Sequence, residues 1–137
     1  MRRPKLSLSS LAIPSLAVLL CLLAVPASAA GSARNFVVFF QDWSAAMGPA
    51  AQRVIAHAAT WAKTHPNTAL TVTGAADRSG TIKANRLLSE LRAQVVTDQL
   101  GRDGVPERGV RQVALGAVGL PGKSQESRRV IISFGAP

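Results

Sequence analysis

The chain predicts an α+β fold, a two-layer α/β sandwich in the order β-α-β-α-β-β. A mixed four-stranded sheet is expected, with two helices on one face. Three observations carry this expectation. Apolar, β-branched or aromatic runs stand at residues 35–40 and 130–134, and an alternating run stands at residues 70–74. Between and after them, apolar residues recur at three-to-four spacing over two longer segments.

The first strand is expected at residues 35–40, "NFVVFF", a continuous apolar run suited to a strand buried on both faces. Gly48 and Pro49 open the first helix, since proline fits a first helical turn. Ala51, Val54, Ile55, Ala58, Trp61 and Ala62 fall on one stripe of it, and His65 and Pro66 end it. Leu70, Val72 and Gly74 alternate with Thr71 and Thr73, the pattern of a second strand. The second helix is expected over about residues 83–100, stopped by "RDGVP". Val110, Val113 and Leu115 suggest a third strand and "VIISF" a fourth, with "LPGK" turning between them. These last two are expected to pair as a hairpin, which makes the sheet mixed.

Ahead of the first strand lies a different kind of segment. Arg2, Arg3 and Lys5 precede an apolar run over residues 11–25, and Ala27, Ser28 and Ala29 form a small-x-small cleavage site. This is the secretory signal-peptide pattern. The run is shorter than the ~20 residues that span a bilayer, and Pro14 interrupts it. The expected organisation is a cleaved signal at 1–30, a short lead-in at 31–35, one domain at 36–134 and a tail at 135–137. The location that follows is outside the cytoplasm. Membrane association is then expected only through a partner, such as one in the outer membrane, or through a signal that stays uncleaved.

Composition narrows the chemistry. The single cysteine, Cys21, lies inside the signal and lacks the small residues a lipobox requires, so no thiol or disulfide is expected in the mature chain. Only two histidines occur, His57 and His65, and neither sits at ligand spacing with other donors. Ser89 has no base in view and reads as a helix contact. Residues 74–80 lack the Lys-Ser/Thr ending of a phosphate loop. No enzyme, metal or cofactor is expected. The formal net charge of +9 favours polyanions in general, but a secreted chain without a set of stacking aromatics is a poor nucleic-acid binder.

The stretch "TGAADRSGTIKANRLLSELRAQ" poses the functional question. Asp77 sits in a glycine-bounded turn after the second strand, and Arg92 lies fifteen residues on, in the second helix. On a helical wheel Ala84, Leu87, Leu88, Leu91 and Val95 form the expected core stripe, with Arg86, Glu90, Gln94 and Thr97 opposite in water. Asn85, Ser89 and Arg92 occupy the flank. Gly74 and Gly80 would grant the loop unusual backbone angles and let it fold back over that flank. Two arrangements are open: a bridge between Asp77 and Arg92 that pins loop to helix, or a cleft that both charges face.

The motif Gly74-x-x-Asp77-x-x-Gly80, followed by Asn85, Leu88, Ser89, Arg92 and Ala93, resembles the OmpA-like peptidoglycan-binding domain family. The similarity extends over about residues 36–134 through "VVFF", Pro49, "GVPERGVR" and "SRRVIISF". It implies a non-catalytic domain of the periplasm that binds cell-wall peptidoglycan through the diaminopimelate of the stem peptide. It also implies that Asp77 takes the ammonium and Arg92 the carboxylate, for which a planar guanidinium fork is suited. Asn85 would brace the loop, and Arg128 would stand near the site. The chain departs from the family at Ala75 and Ala76, where His or Tyr and then Thr are usual, and at Ser127 and Ile131. The alternative expectation is a divergent domain that serves as an envelope protein-interaction module without wall binding.

Overall fold

The computed structural model describes residues 33–119 and 121–135, so the signal expected at 1–30 and the last two residues of the expected tail lie outside it. The elements run β1 (Arg34–Phe39), α1 (Pro49–Thr64), β2 (Leu70–Ala76), α2 (Ile82–Arg102), β3 (Val110–Ala117) and β4 (Arg129–Phe134). Single 3-10 turns precede β3 and β4. The expected order and mixed four-stranded sheet are present. The lead-in is shorter than expected, because Arg34 and Asn35 already belong to β1.

The pairing differs from the expected hairpin. The sheet order is β1-β4-β2-β3, with β2 and β3 parallel and β4 antiparallel to both β1 and β2. Parallel neighbours need a crossover, and α2 supplies it between β2 and β3. β4 then passes over the end of β2 and inserts on its far side. β4 and β2 are therefore the central strands. β1 lies at an edge, and within it only Val38 is buried, not the two fully covered faces the apolar run suggested.

Helix α1 follows its sequence signals. Gly48 is its N-cap, Pro49 lies in its first turn, and His65 ends it. Ala51, Ile55, Ala58 and Ala59 are buried, with Val54, Trp61 and Ala62 packed partly against the core. The core itself joins these to Val38, Phe40, Leu70, Val72, Val96, Leu100, Val130, Ile132 and Phe134.

Helix α2 is rotated from its expected orientation. Its buried face is Asn85, Ser89, Arg92, Ala93, Val96, Thr97 and Leu100, whereas Leu87 is 57% and Leu91 51% exposed. The reason is close approach. A Cβ built on Gly74 would lie 2.0 Å from the Ser89 carbonyl oxygen and 3.2 Å from the Ala93 Cβ, so the helix backbone rests almost on β2. Leucines cannot fit in that gap. Small or hydrogen-bonding side chains can: Thr97 donates to the Ala93 carbonyl at 3.0 Å, and Ser89 Oγ donates to the Arg86 carbonyl while accepting from the Gly116 N–H at 2.9 Å.

Two substitutions on α2 separate the observed face from the expected one. Leu100→Ala should cost about 2–5 kcal/mol in urea unfolding through the cavity it leaves. Leu91→Ala should change stability by less than about 1 kcal/mol. The reverse ranking would restore the leucine stripe as the core face.

Candidate functional site

The topology gathers one set of loops at one edge of the sheet. The C-terminal ends of β1, β2 and β3 and the start of β4 all meet there, beside the N-terminus of α2. In open α/β sheets this is the edge where ligands bind. Because β4 inserts beside β2, Arg128, the residue just before β4, reaches the turn that follows β2. A hairpin between β3 and β4 would have left it a strand further away. The Phe40 N–H donates to the Arg128 carbonyl at 2.8 Å and the Val118 N–H to the Ala76 carbonyl at 2.9 Å, which close the edge.

Asp77 sits at the centre of this edge, 4% exposed. Its Oδ1 accepts from the Ser79 N–H at 3.0 Å and the Ser79 hydroxyl at 2.5 Å, a local turn in which side chain replaces backbone as acceptor. Its Oδ2 accepts from Nη1 of Arg128 at 3.1 Å. Burial works against the charge. The Ser79 hydroxyl and N–H, Arg128 and the Ser124 backbone outweigh it, and the pKa is lowered from 3.8 to about 2.

Arg92 does not pair with Asp77 among the described contacts. It is 0% exposed and serves the backbone instead. Nε donates to the Ser44 carbonyl at 2.8 Å, Nη1 to Ala75 at 3.0 Å and Nη2 to Gln41 at 2.9 Å. Its guanidinium carbon lies 5.3 Å from the centre of the Phe40 ring. Burial lowers its pKa, the charge of Asp77 counters this, Arg128 adds to the lowering and Asp42 opposes it. Arginine stays cationic regardless. Three of its five N–H groups are used, so one on each terminal nitrogen is left over.

The supporting residues fall in place with changed reasons. Asn85 is buried against the loop, its Oδ1 2.9 Å from where a Cβ on Gly80 would sit. Gly74 and Gly80 were expected to supply unusual angles, yet neither has a positive φ. Both are needed for space. Gly74 admits α2, and a Cβ on Gly80 would lie 2.1 Å from the Trp43 ring. Arg129 donates to the Glu126 carbonyl and takes no part in the site.

Sequence reasoning missed four residues at this edge. Ser79 is the main local partner of Asp77, and the Asp-x-Ser spacing is a turn signal that could have found it. The carbonyls of Gln41 and Ser44 carry no side-chain signature. Trp43, between them, adopts φ 49° and is 51% exposed, which spacing does not reveal. Among the described residues, no group of three or more His, Cys, Asp or Glu side chains is placed to hold a metal, and no helix is long and apolar enough to cross a membrane.

The depressed pKa of Asp77 makes a stability prediction with a definite sign. The contribution is fully present above pH 3.8 and is lost as pH falls toward 2. Its full size is roughly 2 kcal/mol. The unfolding free-energy difference between wild type and Asp77→Asn should therefore be flat above about pH 5 and shrink steadily below 4. A difference independent of pH across that range would contradict the hydrogen-bonding described for Asp77.

Comparison with known proteins agrees with this fold. Relatives include the peptidoglycan-associated lipoprotein of Agrobacterium fabrum, 34% identical over 92 residues, covering 63% of this chain and 52% of that protein. That of Brucella melitensis is 31% identical over 96 residues, covering 66% and 57%. The chain thus spans little more than half the length of these relatives. Among solved structures, the peptidoglycan-associated lipoprotein from Burkholderia pseudomallei superposes with a TM-score of 0.65 at 27% identity, covering 72% of this chain and 89% of that one. The OmpA-like domain of FopA1 from Francisella tularensis shares the fold at a TM-score of 0.69 and 24% identity, covering 77% and 73%. The OmpA family pattern matches residues 39–130, and the chain belongs to the OmpA family.

Proposed function

We propose that this chain is a non-catalytic peptidoglycan-binding domain of the periplasm, recognising the diaminopimelate of the stem peptide at the edge of the sheet that holds Asp77. The observation that carries the reading is a buried carboxylate held ionised beside two arginines that approach it from different elements. Free diaminopimelate ends present an ammonium and a carboxylate on one carbon, so a receptor needs one anion and one or two cations at fixed separation. Asp77 takes the ammonium in place of Arg128. Arg92 takes the carboxylate with its two unused N–H groups, and the released Arg128 joins it. The relatives' names as peptidoglycan-associated lipoproteins support the same substrate.

The burial of Arg92 adds a condition. Arg92 is fully buried and holds the turn at residues 41–44, so ligand meets its guanidinium only after a neighbouring segment moves. Removing Arg92 would also release that turn, because two of its three acceptors lie there. Arg92→Ala therefore cannot separate binding from folding.

A second reading has its own observation. The pair of Asp77 with Arg128 is already closed, and Ala75 and Ala76 offer no side chain to a pocket. A domain so arranged could instead serve protein interaction in the envelope without wall binding.

A sacculus pull-down with diaminopimelate as competitor decides between them. Truncating one member of a desolvated charge pair costs about 2–5 kcal/mol, roughly thirty-fold or more in affinity. Asp77→Asn and Arg128→Gln should each weaken sacculus binding by at least that much while unfolding cooperatively. Diaminopimelate should shift the amide signals of Asp77, Ser79 and Gln41. Undiminished binding by Asp77→Asn, or no amide shift at all, would leave the interaction module as the better account.

A further inference from the structure

Trp43 is the one non-glycine among the described residues with a positive φ, 49°, and it is half exposed. A bulky side chain in the left-handed region is uncommon and persists only where its surroundings enforce it. Here they do. The carbonyls of Gln41 and Ser44, on either side of Trp43, are both held from below by Arg92, at 2.9 and 2.8 Å. Asp42 is tied across the edge to Lys123 at 2.5 Å. The far edge of the indole rests on the bare Cα of Gly80, where a Cβ would come within 2.1 Å of Cη2 and 2.7 Å of Cζ2. A buried cation, a surface ion pair and a glycine thus hold an exposed tryptophan in a strained backbone, and no contact of the core needs it there.

We propose that Trp43 is a specificity residue that stacks on a pyranose ring of the glycan strand, extending the site from the stem peptide to the sugar that bears it. This rests on the peptidoglycan reading above. The geometry suits it. Gly80, on which the indole lies, is three residues from Asp77, at most about 11 Å along the chain. The third residue of a stem peptide is separated from its sugar by two residues, about 7 Å when extended, plus the lactyl link. An indole offers a broad, rigid, partly apolar surface at small entropic cost, and tryptophan is enriched at binding hot spots for this reason. The C–H face of a neutral pyranose matches it. A second ammonium would not, since exposed Arg78 lies in the adjoining turn and has no acidic partner among the described residues.

The chain has two tryptophans, and Trp61 stacks on His65 at 3.9 Å, at the opposite edge of the sheet. Trp61→Phe leaves Trp43 as the sole indole reporter. Three probes are titrated: diaminopimelate, a sugar-free stem tripeptide, and the disaccharide carrying that peptide. The expected result is a shift in Trp43 emission with the sugar-bearing fragment that the other two do not produce. Trp43→Leu, similar in bulk but without a stacking plane, should bind the sugar-bearing fragment about ten-fold more weakly, and the other two within two-fold of wild type. Trp43→Phe should recover most of the loss. Trp43→Asn, which tolerates the left-handed backbone, should lose the sugar preference while keeping its unfolding midpoint within a few degrees.

Equal loss for all three probes, or no loss for the sugar-bearing fragment, overturns the stacking role and leaves the diaminopimelate site standing. Trp43-dependent binding of the sugar fragment, with no binding of diaminopimelate and no effect of Asp77→Asn, overturns the diaminopimelate site and leaves the stacking role standing. If the wild-type chain binds none of the probes, both fall.

Discussion

The interaction on which this edge of the molecule depends is the burial of the Arg92 guanidinium among three backbone carbonyls. Those carbonyls come from the end of β2 and from both ends of the turn after β1, while the arginine comes from α2. One side chain therefore joins three segments that are distant in sequence. A buried cation is stable only when its donors are satisfied and its charge is balanced. The carbonyl dipoles meet three of its five N–H groups, and the nearby charges of Asp77 and Asp42 help with the second condition, against the opposing effect of Arg128. Each charge-assisted hydrogen bond contributes about 1.5–3 kcal/mol relative to its loss. The position of Trp43, between two of those carbonyls, follows from this anchor.

Strand order supplies the second constraint. With β4 between β1 and β2, the segment leading into it must cross the C-terminal end of β2, which is where Asp77 stands. Arg128 reaches the carboxylate by this route, 51 residues away in sequence. The same crossing lets Lys123 meet Asp42 in the turn after β1. The edge is thus closed by two ion pairs of unlike character. The pair of Lys123 with Asp42 is partly exposed and contributes little. The pair of Arg128 with Asp77 is nearly dry, and its contribution depends on Ser79 satisfying the other oxygen.

Much of the fold was legible because its signals are local. Gly48 with Pro49 and His65 with Pro66 marked the ends of α1, and the alternation at Leu70, Val72 and Gly74 marked β2. The orientation of α2 was not legible, because the wheel assumes that leucines define the buried face. Here Gly74 removes a side chain from the sheet and brings the helix so close that Ser89, Ala93 and Thr97 fit where Leu87 and Leu91 cannot. Strand pairing was not legible either, since a turn such as "LPGK" suits a hairpin and a crossing loop equally. As for the site, the motif singled out Asp77 and Arg92, but no spacing rule states which partner each will choose. Arg128 took the aspartate because topology placed it there. Arg92 took the carbonyls because a polar residue on the buried face must find acceptors within reach.

The closed pair of Asp77 with Arg128 bears on selectivity under the proposed reading. A ligand with an ammonium alone would displace Arg128 from Asp77 and leave that arginine without a counter-charge in a nearly dry setting. A ligand with a carboxylate alone would draw Arg128 away and strand Asp77. Either outcome leaves one charge unpaired at a penalty of several kcal/mol. A zwitterion exchanges both partners at once and strands neither. The internal ion pair then works as a filter: it occupies the site against simple cations and anions and gives way to a group that replaces both halves. The two unused N–H groups on Arg92 favour such a group further, because they can donate to its carboxylate once a neighbouring segment has moved. Selectivity for the zwitterion would therefore be set less by the open form of the site than by how completely a ligand reproduces the contacts of the closed one.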